Sequence, residues 1–108
     1  MKRALVIHDD EQIRNAIIVF LGKIGIQTQG AGNFHTGIQK LYDSKFDFVL
    51  IDDYVYGQGG SVPMTSISNA TKAKIFIMVD LQPNQDSAGV SYLIKPINLP
   101  ELRNNLLS

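Results

Sequence analysis

The sequence has no cysteine. That removes disulfide scaffolds, thiolate zinc centres and cysteine nucleophiles together. It also lacks an excess of charge of either sign. Ten basic and ten acidic side chains cancel, and charged residues make up 19% of the 108, below the ~25% of an average soluble domain. No basic run is longer than the pair Lys2-Arg3, so the basic face that phosphate binding needs is missing and nucleic acid is not an expected partner. No apolar run approaches the ~18 residues of a membrane span, and the start MKRALVIHDD is too short in apolar residues for the ~7–15 of a signal peptide. The expectation is therefore no membrane and a cytoplasmic location. No repeat recurs at periods of ~20–50 residues. What is present is 44% apolar side chains, enough for one core spanning residues 1–108 and too many for a disordered chain.

The apolar residues alternate between two patterns. Ala4–Ile7 is a short continuous run that stops at His8-Asp9-Asp10-Glu11. Such runs suit strands buried on both faces, as in a parallel sheet. Ile13, Ile17, Leu21 and Ile24 then recur at helical spacing up to Gly25. Residues 26–31, IQTQGA, predict a weak edge strand, and residues 34–44 a helix weakened by Gly37. FDFVLI, residues 46–51, is the clearest strand and runs into Asp52-Asp53. Residues 56–61, YGQGGS, predict a flexible loop, residues 61–70 a short helix, and residues 73–79, AKIFIMV, a buried strand ending at Asp80. Residues 81–89 hold Pro83 and several turn formers, which disfavour a helix. Val90–Ile94 predicts a short strand before Lys95-Pro96. Asn98 and Glu101 form a capping pair for a last helix with Leu102, Leu106 and Leu107 on its buried stripe.

This alternation builds an α/β fold with a parallel sheet covered on both faces. Ligands of such sheets sit beyond the carboxyl ends of the strands. Here those ends carry His8-Asp9-Asp10, Asp52-Asp53, Asp80 and Lys95. A rim of carboxylates and one ammonium suits a hard cation together with an anionic group. A carboxylate can also attack phosphorus to give an aspartyl phosphate, with the cations neutralising the phosphoryl oxygens.

Three segments in this order resemble the receiver domain of response regulators, the phosphoacceptor module of two-component signalling: ALVIHDDEQIRNAI, FDFVLIDD and SYLIKPINLPEL. The resemblance implies a flavodoxin-like, five-stranded parallel sheet of order 2-1-3-4-5. It implies Asp52 as phosphoacceptor and Asp9 as a member of the acidic pair that holds Mg²⁺ with Asp52 and the Tyr54 backbone carbonyl, His8 or Asp10 contributing through water. It implies Lys95 as the catalytic ligand of the phosphoryl oxygens, Tyr92 as the aromatic switch residue, and a cis bond between Lys95 and Pro96. The implied partners are a histidine kinase or phosphotransfer protein, an output domain where the chain is part of a longer one, and a second copy in a homodimer. Enzyme activity would go no further than self-phosphorylation and dephosphorylation at the aspartate.

The departures from the pattern set further expectations. The first acidic position is His8, which brings no negative charge when neutral. The Thr or Ser that ends the fourth strand is replaced by Asp80. Two like charges at ~4 Å repel by roughly 4 kcal/mol at an effective dielectric of ~20, so an ionised Asp80 would oppose phosphorylation about as much as Lys95 assists it. Leu81 stands where a small residue usually leaves the pocket mouth open. The Met-Pro turn after the acceptor is replaced by Val55-Tyr56, and the fourth helix is expected to be shortened or missing. Two pockets are compatible with these changes. In one, Mg²⁺ binding and phosphoryl transfer persist but weakened. In the other, Asp80 is a built-in anion paired with Lys95 or protonated His8, a second switch position beside Tyr92, and the domain is a phosphorylation-independent interaction module.

The same residues also suit plainer roles. Asp52 can be a helix cap, His8 a hydrogen-bonded structural histidine and His35 a surface residue. Gly57-Gln58-Gly59-Gly60 lacks the Gly-Lys-Ser/Thr of a phosphate-binding loop.

Overall fold

A computed structural model describes residues 2–60, 63–81, 83 and 89–107. Five strands and five helices follow one another as β1 (Arg3–Ile7), α1 (Glu11–Lys23), β2 (Gln27–Ala31), α2 (Phe34–Asp43), β3 (Phe48–Asp52), α3 (Asp53–Gly57), α4 (Pro63–Ala70), β4 (Lys74–Val79), β5 (Val90–Ile94) and α5 (Leu99–Leu107). The strands form one parallel sheet in the order β2-β1-β3-β4-β5. The expected fold and strand order are those observed.

The unbroken apolar runs have a direct cause. Successive side chains of a strand point to opposite faces, and both faces of this sheet are covered. Ala4, Val6, Phe48, Leu50, Phe76 and Met78 face one core, closed by Ile17 and Leu21 of α1 and Leu102 and Leu106 of α5. Leu5, Ile7, Val49, Ile51, Ile75 and Ile77 face the other, closed by Leu41 of α2, Val55 of α3 and Ile67 of α4. β2 is an edge strand with every other residue exposed, which is why its apolar signal is weak.

The helix starts obey their caps. Asp10 accepts from the Ile13 N–H, Asn33 from Thr36 and Asn98 from Glu101. One expectation fails in part. Residues 56–57, expected to open a flexible loop, close the short helix α3, because the Asp52 carboxylate caps the Tyr54 N–H at 3.1 Å and Val55 is fully buried; residues 58–60 are a turn as expected. Residues 61–62 and most of residues 81–89 lie outside the described residues, and the expectation of a missing fourth helix falls largely there. Between β4 and β5 no helix occurs among the described residues.

Candidate functional site

The chain runs from β1 outward to β2 on one side and returns to β3 on the other side of β1. Above that reversal the helices diverge and leave a crevice at the carboxyl ends of the strands. The register brings three of those ends together. Ile7 pairs with Ile51, Asp52 with Met78, and Val79 with Ile94. His8, Asp52 and Lys95 therefore stand one step beyond, or at, the ends of β1, β3 and β5, with β4 between the last two.

Asp52 is the centre. It is 3% exposed. Its two carboxylate oxygens divide their work: Oδ2 caps α3 through the Tyr54 N–H, and Oδ1 turns to the crevice. Lys95 Nζ lies 2.5 Å from Oδ1 and 3.2 Å from Asp53 Oδ1. Apart from the Lys95 ion pair, buried Oδ1 accepts no hydrogen bond among the described residues. The cap and acceptor roles of Asp52 are thus compatible.

Burial of Lys95 disfavours its charge, but the contacts with Asp52 and Asp53 outweigh that loss and raise its pKa above the ordinary lysine value. Lys95 is followed by Pro96 through a cis peptide bond.

His8 is also buried. Its Nδ1 accepts a hydrogen bond from the Asp10 backbone N–H at 3.0 Å and has Asp9 Oδ1 at 3.3 Å. Its Nε2 faces Asp52 Oδ1 at 3.4 Å. The Asp10 N–H thus occupies the Nδ1 side of the ring. Arg14 secures the carbonyl side of the same residue, with Nη1 2.7 Å from His8 O.

The donor atoms of His8, Asp9 and Asp52 lie within 4.8 Å of one another, a spacing one metal ion can span. The donor set fits a hard cation only in part. Mg²⁺ wants oxygen ligands, and His8 offers a ring nitrogen instead. Asp9 is half-exposed. Asp10 is an exposed helix cap.

The other expected residues are placed less centrally. Asp80 is exposed, and among the described residues it makes no ion pair with Lys95 or His8, so the built-in-anion arrangement is not the one seen. Leu81 is 84% exposed and does not narrow the pocket. The Tyr54 side chain and His35 are exposed. Tyr92 is half-buried opposite Ile77 and packs against the second core. Burial raises the pKa of the Tyr56 phenol, and the nearby Tyr92 adds to the effect. Asp53, expected on the rim, shares Lys95, and Arg14, which the sequence does not single out, holds the end of β1.

Backbone comparison decides the fold. A two-component response regulator from Clostridium difficile superposes with a TM-score of 0.86 at 25% identity, over 98% of this chain and 93% of the other. The chain has the receiver-domain fold of two-component response regulators. The receiver domain of the hybrid histidine kinase CckA matches at a TM-score of 0.82 and 18% identity, covering 96% of this chain and 94% of that one. A response regulator from Burkholderia pseudomallei, solved with a phosphorylated aspartic acid, a calcium ion and citrate, matches at 0.82 and 21% identity, over 100% of this chain and 68% of its own. No protein-family model and no curated protein matches the sequence. Within this receiver fold, the crevice with Asp52, Lys95 and the His8–Asp9 pair is the candidate site. An apolar cleft of about 350 Å³, lined by Ile13, Ile17, Met78 and Pro96, reaches it at His8 and Lys95.

Proposed function

We propose that residues 1–108 act as a phosphoacceptor receiver domain with an altered pocket, and that Asp52 is the acceptor. The observation that carries this reading is the buried Asp52 Oδ1, turned into the crevice and met by Lys95. An oxygen of the Asp52 carboxylate attacks the phosphorus of a phosphohistidine presented by a histidine kinase or phosphotransfer protein. The O–P bond forms and the P–N bond breaks. The imidazole leaves with that electron pair and takes a proton from water. Lys95 then neutralises phosphoryl oxygens, a role its raised pKa keeps available at neutral pH.

Asp9, Asp52 and the Tyr54 carbonyl would hold a divalent cation, Mg²⁺ above all, which supplies further neutralisation of the phosphoryl charge. With His8 in place of a carboxylate that cation is held weakly. The domain turns over no substrate other than its own aspartate. Its output is transmitted by contact with an output domain or a second copy, with Tyr92 and Asp80 at the responding side of the pocket, and it works in the cytoplasm.

Incubation with acetyl phosphate followed by intact mass measurement tests this. The expected result is one added phosphoryl group, lost in Asp52→Asn. Absence of any label, with binding to a partner unaffected by Asp52→Asn, would favour the phosphorylation-independent module.

A further inference from the structure

We infer that Asp53 is a specificity-determining residue for the phosphoryl donor: its charge holds small, highly charged acyl phosphates back from Asp52. The inference rests on Asp52 being the acceptor. Asp53 opens α3 directly after Asp52, and the turn from strand to helix brings both carboxylates to one ammonium. Lys95 Nζ donates to Asp53 Oδ1 at 3.2 Å and lies 2.5 Å from Asp52 Oδ1. Two carboxylates thus share one cation, and the trio keeps a negative charge in excess. Among the described residues, the side chains that one metal ion could bridge are His8, Asp9 and Asp52, and Asp53 stands outside them. Its charge therefore does not serve to hold a metal.

Lys95 does not depend on Asp53 for its aim. Its backbone N–H is tied to Val79 O at 2.7 Å, and the shorter of its two carboxylate contacts is the one with Asp52. What Asp53 adds is charge. In the transfer, an oxygen of the Asp52 carboxylate attacks the phosphorus of acetyl phosphate. The O–P bond forms, the bond between phosphorus and the acyl oxygen breaks, and acetate leaves with the electron pair. The phosphoryl group brings ~1.5–2 negative charges to a place where the carboxylate had one. Lys95 then serves its oxygens while still facing Asp53. The Asp53 side chain is 40% exposed, so water and salt screen the repulsion and keep it modest. A donor with less negative charge meets less of it. Phosphoramidate is such a donor at neutral pH, and its nitrogen leaves with the P–N electron pair as ammonia.

The test follows labelling of the whole chain by intact mass, with acetyl phosphate and with phosphoramidate, in Mg²⁺ at low ionic strength. Asp53→Asn is expected to speed labelling by acetyl phosphate about two- to fivefold, the size of one partly screened charge, and labelling by phosphoramidate by less. The gain should shrink as sodium chloride is added. Asp53→Glu, which keeps the charge, should stay near the wild-type ratio of the two rates. Unchanged or slower labelling of Asp53→Asn overturns the inference and leaves Asp52 as acceptor. So does an equal gain with both donors that salt does not alter, the mark of a structural effect. No label from either donor in either protein overturns both readings.

Discussion

Single side chains at the strand ends do two jobs each. Asp52 both starts α3 and faces the crevice, and Asp10 both caps α1 and bonds His8 Nδ1 through its backbone N–H. Such pairing was half legible in the sequence. The order of Asp9, Asp52 and Lys95 along the chain pointed to the crevice. Asp80 occupies an equivalent place past β4, yet it is exposed and pairs with neither Lys95 nor His8 among the described residues. Arg14 was hidden because its partner is a backbone carbonyl, which no residue pattern announces. A hydrogen bond from a charged donor contributes ~1.5–3 kcal/mol. Arg14→Ala is therefore expected to lower the urea unfolding free energy by about that amount and to slow labelling of Asp52. Unchanged stability would show that Arg14 Nη1 does not hold His8 O.

Elements meet at close range where glycine allows it. Gly37, buried in α2, lies directly against Ile7 of β1. A Cβ there would be 2.5 Å from Ile7 Cδ1 and 3.0 Å from Cγ1. In an exposed helix Gly→Ala gains ~1 kcal/mol, whereas overpacking a core costs ~1–3 kcal/mol. Ile7 is fully buried between two layers and has no room to yield. Gly37→Ala is thus expected to destabilise in equilibrium urea unfolding. Adding Ile7→Val, which deletes Cδ1, should recover part of the loss beyond additivity. The glycine was read from sequence only as a weak point of its helix; the contact that explains it spans two elements and has no local signature. Strands buried on both faces were legible because their apolar runs are unbroken, and α3 was missed because its one-turn length leaves no periodicity to detect.

At the scale of the whole molecule, folding assembles charge as well as core. Lys95 holds its proton more tightly folded than unfolded, because the contacts with Asp52 and Asp53 outweigh its burial, and burial, reinforced by Tyr92, does the same for Tyr56. A folded pKa above the unfolded one gives stability that is complete below the unfolded value and lost as pH rises through the folded one. For lysine and tyrosine the unfolded values are ~10.4 and ~10. The unfolding midpoint in urea is therefore expected to drop with rising pH through the alkaline range. The drop should be shallower in both Lys95→Met and Tyr56→Phe. An equal slope in all three proteins would show that neither group is coupled to folding. The most direct measurement of the site is a crystal structure of the protein soaked with beryllofluoride. Density bonded to the Asp52 carboxylate, with Lys95 turned to its fluorines, is the predicted result. A bare Asp52 with Lys95 still shared between it and Asp53 would contradict the assignment of Asp52 as phosphoacceptor.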